Sequence, residues 1–142
     1  MWADTFLGIE QQHAFSLLFW GASTVLCATI VAATLAAQNR ESAFLAHFAT
    51  QLAVWGILAI IAGAIEWHGI HLRTVDSATT VEHLMWLRTG LDVGVVGIGA
   101  SLAAAGRILG RHAGVSGAGI AMIVHGLALF AIDVQFVSGV SR

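Results

Sequence analysis

The chain has 142 residues, of which 58% are hydrophobic and 10% charged, with a formal net charge of -2. A soluble domain carries roughly 25% charged residues, so this composition excludes a water-soluble globule, and the length excludes more than one domain. The small negative charge, without any basic cluster, excludes nucleic acid as a partner.

The chain opens on Met1-Trp2-Ala3-Asp4, which lacks the basic start of a secretory signal, and the following apolar run is too long for one. The first helix is therefore expected to be retained. A helix needs roughly 20 mainly apolar residues to cross the hydrocarbon, and the charged residues divide the chain at such intervals. The first span is expected from about Gln12 to Gln38, between Glu10 and Arg40. The second runs from about Phe44 to His68, the third from about Glu82 to Gly106, and the fourth from about Gly114 to Phe136. The runs are continuous and rich in Ala, Leu and Ile, without the period-2 alternation of strands. A β-barrel would need many segments of about 10 alternating residues. The expected fold is all-α: a single transmembrane domain over 1–142, built as an integral membrane four-helix bundle, up-down-up-down. No proline is present to kink a helix. Cys27 is the one cysteine, so no internal disulfide can form.

All six basic residues are arginines. Arg40 lies in the first loop, and Arg107 and Arg111 in the third, with only Glu41 among them. Seven of the eight acids fall toward the opposite end, with Arg73, Arg88 and Arg142. The net charge is thus +2 at one end and -4 at the other. The arginine-bearing short loops are expected inside and both termini on the outer side. Trp2, Trp67 and Trp86 would mark the outer interface, while Trp20 and Trp55 lie deeper.

Small residues suggest close helix packing. Gly90, Gly94, Gly97 and Ser101 form one stripe on the third span; Asp92, Gly99, Ala103 and Gly106 form another. Stripes on two faces predict a third helix that is central in the bundle, or one that uses a stripe to pair with a second copy.

Ionisable groups in a span cost at least about 2.5–3.5 kcal/mol at its centre. Here they gather at one end. Arg88 and Asp92 share a helix face, and Glu66 and Asp133 are their expected neighbours, as a structural ion pair or as a proton site. Glu10-Gln11-Gln12-His13 has the Glu-x-x-His spacing of di-iron carboxylate bundles, although only one copy is present. His68 and His71 are about 60° apart around a helix, close enough to share a metal, and these ligand types suit Zn, Cu or Fe. His125 falls near mid-membrane, followed by Gly126, which would leave room for the ring of a haem or pigment. Its alternative is a neutral imidazole bonded to Ser23, Thr24 or Gln51. The cofactor reading therefore runs from none to a transition metal, a haem or a pigment. No nucleophile elbow, phosphate loop or His-Glu-x-x-His motif is present, so no catalytic residue is assigned.

Leu87-Arg88-Thr89-Gly90-Leu91-Asp92-Val93-Gly94, together with Gly117-Ala118-Gly119-Ile120, His125-Gly126-Leu127 and Phe130-Ala131-Ile132-Asp133, resembles an uncharacterised family of small four-helix bacterial membrane proteins, a domain of unknown function. His125 departs from the amide expected there, as Arg88-Thr89 does from an expected Asn. The resemblance implies a four-span bundle with Asp92 and Asp133 as its notable polar positions, and supplies no activity. The expected role is that of a non-enzymatic accessory or scaffold subunit in a bacterial inner membrane. It would touch lipid and either protein partners or a second copy through its Gly/Ala stripes. The alternative is a small redox protein using the outer His/Glu layer.

Overall fold

A computed structural model describes residues 2–108 and 112–140. Four α-helices follow one another: α1 (Trp2–Ala37), α2 (Ala43–Gly69), α3 (Val75–Ile108) and α4 (Ala113–Val140). Among the described residues there is no strand. All four are long and apolar enough to cross a membrane, and large apolar side chains such as Phe15, Phe19, Ile61, Ile65, Leu91 and Leu127 are exposed. The chain is a multi-pass membrane protein whose apolar outer surface faces lipid.

The helices outrun the expected spans. α1 begins ten residues before Gln12 and α3 begins seven before Glu82. Charge does not end either helix, because the charges find partners or water. At α3 a local cap also fixes the start: the Ser77 amide donates to the Thr74 hydroxyl at 3.4 Å, as a Thr N-cap requires. The first turn is equally explicit. Asn39 has φ 47°, a left-handed conformation that Asn tolerates. The Arg40 amide donates to Leu35 O at 3.1 Å and the Asn39 amide to Ala36 O at 3.2 Å, the paired bonds of a Schellman end. Ser42 then caps α2, accepting from the Leu45 amide at 3.3 Å.

Two antiparallel hairpins, α1–α2 and α3–α4, pack through glycine. A Cβ on Gly21 would stand 2.6 Å from Gly56 O, and one on Gly99 would stand 2.7 Å from Gly119 O. The hairpins join through α4, which packs on α2 and more lightly on α1, whereas α3 leans almost wholly on α4. The expectation of a central α3 is therefore overturned: α4 is the central helix. Of the two α3 stripes, Asp92, Gly99, Ala103 and Gly106 are buried. Gly90, Gly94 and Gly97 have nothing within 4 Å of an added Cβ. One stripe has a partner inside the bundle, and the other faces outward.

Candidate functional site

Each helix sends one ionisable side chain to a common level. His13 comes from α1, Glu66 from α2, Arg88 from α3 and Asp133 from α4. At about 1.5 Å per residue, these lie roughly 30–36 Å from the helix ends nearest Arg40 and Arg107. That distance is about one hydrocarbon thickness, which puts the site at one membrane boundary.

The four groups close a ring. His13 Nδ1 lies 2.9 Å from Glu66 Oε2, and His13 Nε2 lies 2.8 Å from Asp133 Oδ1. Arg88 donates from a terminal nitrogen to Glu66 Oε1 at 2.7 Å, and its Nε lies 3.5 Å from Asp133 Oδ2. Each carboxylate thus meets both basic side chains, one oxygen to each. Burial is uneven. The His13 and Asp133 side chains are 2% and 1% exposed, against 25% for Glu66 and 32% for Arg88. The Glu66–Arg88 side reaches the surface of the bundle, and the His13–Asp133 side is enclosed.

An apolar cluster seals the enclosed side. Phe6, Ala78, Met85, Phe136 and Val137 pack beyond the ring, and the Phe136 ring meets His13 edge-on with centroids 5.2 Å apart. The geometry also fixes a proton count. A neutral imidazole has one N–H and one lone pair, yet both His13 nitrogens face carboxylate oxygens. Making both bonds requires one further proton, either on the ring or on a carboxyl.

Asp92 extends the site one turn toward mid-membrane. It is buried, its carboxyl lies beside that of Asp133, and its Oδ2 has no hydrogen-bond partner. Arg88, though four residues away on the same helix, is directed to Glu66 and Asp133 instead. The ring therefore holds Arg88, Glu66 and Asp133 together, with Asp92 alongside.

The other sequence-selected residues do not converge. Glu10 shares a helix face with His13 but is claimed by Arg73, which donates to Glu10 Oε1 from Nε at 3.0 Å and from a terminal nitrogen at 2.8 Å. His68 and His71 are exposed, with their Nδ1 atoms on Ala64 O and Gly69 O. Among the described residues no group of three or more His, Cys, Asp or Glu side chains has a geometry that could hold a metal ion.

His125 is 1% exposed, and its partners differ from those expected. Trp20 Nε1 donates to its Nδ1 at 3.2 Å, and the Trp55 ring lies 5.4 Å away, centroid to centroid. An indole only donates, so Nδ1 accepts and Nε2 carries the hydrogen. Among the described residues Ser23, Thr24 and Gln51 form no hydrogen bond with it; Thr24 donates to Gly21 O instead. The expected space beside Gly126 is also taken: a Cβ there would stand 2.8 Å from Val96 Cγ2. A planar macrocycle does not fit against this residue.

Sequence reasoning missed Arg73 as the partner of Glu10, and the two tryptophans as partners of His125. A loop arginine between two helices with buried acids was the available signal for the first. The second pairing depends on helix register and has no local signal. Arg111, Arg142 and the Trp2 side chain, used for orientation and the aromatic belt, lie outside the described residues; Trp67 and Trp86 are exposed.

No curated protein and no solved structure matches the chain. A family model matches residues 16–134, which includes Glu66, Arg88, Asp92, His125 and Asp133 and leaves out Glu10 and His13. The chain belongs to the family of unknown function DUF6992.

Proposed function

We propose that the protein is a non-enzymatic scaffold or accessory subunit of a larger membrane complex, located in a bacterial inner membrane with both termini outside. The observation that carries this reading is the outward stripe of α3. Gly90, Gly94 and Gly97 have no neighbour within 4 Å of an added Cβ, and Ser101 on the same face is exposed. Glycine in a helix costs about 0.8–1.0 kcal/mol relative to alanine. A glycine stripe that packs against nothing inside the bundle is accounted for by a helix docking from outside it.

The ring supports the same reading. Its four members bond one another, as a device that fixes the helices would require. The orientation rests on Arg40 and Arg107 at the ends of short loops, opposite most of the acids. The alternative of a metal-binding redox protein has no set of convergent ligands among the described residues to favour it.

The test is purification from native membranes in a mild detergent, followed by cross-linking through Gly94→Cys in a Cys27→Ser background. The expected result is a stoichiometric partner, or a second copy, captured through Gly94→Cys, and co-purification of that partner should be lost in Gly94→Leu. A monodisperse monomer that gives no cross-link under these conditions sinks the proposal.

A further inference from the structure

The α1–α2 hairpin packs tightly in one half and stands open in the other. Toward the ring, Gly21, Gly56 and Gly63 bring the backbones together. Toward the Arg40 end, a cavity of about 930 Å³ separates the helices. Its walls are Ala28, Ala32 and Ala36 of α1 and Ala46, Ala49 and Ala53 of α2. Spacing of four places the three α1 alanines on one face. Such small residues ordinarily let two helices close. Here the start of α2 is drawn onto α4 instead, where Gly117 receives the Phe44 backbone and Gly114 the His47 ring.

Ala28 and Ala49 form a buried floor, while Ala32, Ala46 and Thr50 on the rim are exposed. The groove therefore opens sideways onto the apolar outer surface. An unfilled apolar groove forfeits dispersion contacts along its whole lining. In a bilayer the molecules available to fill it are acyl chains, and its volume lies near the top of the range of about 300–1,000 Å³ typical of ligand sites.

The mouth of the groove selects the headgroup. Asn39, Arg40, Glu41 and Ser42 line it. Arg40 and Glu41 are both exposed, and neither joins an ion pair among the described residues. One positive and one negative side chain thus stand adjacent at the end of the apolar channel, at the membrane boundary opposite the ring. A zwitterionic aminophospholipid carries the complementary pattern: a phosphate and a primary ammonium next to each other, above acyl chains. An arginine guanidinium is well suited to a phosphate, and a carboxylate to an ammonium. We propose that this groove binds a phosphatidylethanolamine-type lipid, with its tail along the alanine walls, its phosphate on Arg40 and its ammonium on Glu41.

The protein is reconstituted in nanodiscs with equal phosphatidylethanolamine, phosphatidylglycerol and phosphatidylcholine, extracted in mild detergent, and examined by native mass spectrometry for retained lipid. The wild type should retain phosphatidylethanolamine over either competitor by about tenfold. The double variant Arg40→Gln/Glu41→Gln should retain lipid without that preference. Ala46→Phe, which fills the groove from α2, should lose the adduct while keeping its helical circular dichroism; if it does not fold, Ala32→Phe fills the groove from α1. Equal retention of the three lipids by the wild type overturns the proposal. So does a preference that survives the double variant, or an adduct that survives a folded groove-filling variant. A lipid-free dimer also overturns it, by making a second copy the occupant.

Discussion

Single residues in this bundle divide by how deeply they are buried. Asp133 and Glu66 each bond His13 and Arg88, yet Asp133 is 1% exposed and Glu66 25%. Removing one partner from a buried ionic pair typically costs about 3–5 kcal/mol, because the charge left behind has no solvent. Asp133→Ala should therefore destabilise the protein by about that amount, and Glu66→Ala by clearly less, since its carboxylate is only partly buried. Unfolding of both variants in lipid or detergent gives the comparison, and equal losses would contradict the unequal burial. Trp20 makes a second case. Trp20→Phe removes the donor to His125 Nδ1 while keeping an aromatic ring, at an expected cost of about 1–3 kcal/mol for the orphaned acceptor. Nitrogen NMR of the labelled histidines should show one imidazole, that of His125, leaving the fixed tautomer. An unchanged spectrum would place the Trp20 bond in doubt.

At the scale of the helices, glycine position matters more than glycine number. Gly99 faces Gly119 across the α3–α4 contact, where an added Cβ would stand 2.7 Å from backbone oxygen. Gly99→Ala should cost about 1–3 kcal/mol through overpacking. Gly94 has open space around it, so Gly94→Ala should not destabilise and should gain up to about 0.8–1.0 kcal/mol of helix propensity. Thermal unfolding of the two variants separates the packed stripe from the open one, and a reversed order would contradict the packing of α3 on α4. The sequence predicts four helices because length and hydropathy are local properties of each span. The helices α1 and α3 begin before the spans expected from Gln12 and Glu82, because a charge can bound a membrane span without ending a helix. Glu10 continues α1 by pairing with Arg73, and Thr74 caps α3 eight residues before Glu82. Which α3 stripe packs inward is also hidden, since both have the same small-residue spacing and only the partner helix distinguishes them.

For the whole molecule, the ring is a feature in which side chains from all four helices meet. Sequence reasoning brings Arg88, Glu66 and Asp133 together because charges in a span need partners. It assigns His13 to a motif with Glu10 because residues three apart share a helix face. What separates those two is the tertiary path of the loop carrying Arg73, which local spacing does not encode. The closed ring makes a claim that separate ion pairs do not: its opposite corners are energetically linked. His13 and Arg88 are bonded to the same two carboxylates and not to each other. The direct measurement is a double-mutant cycle of His13→Ala and Arg88→Ala, read as unfolding free energy in a lipid bilayer. The ring predicts a coupling of about 0.5–3 kcal/mol between residues that share partners. Losses that add within about 0.3–0.5 kcal/mol, as independent sites do, would contradict it and reduce the site to two unrelated bridges.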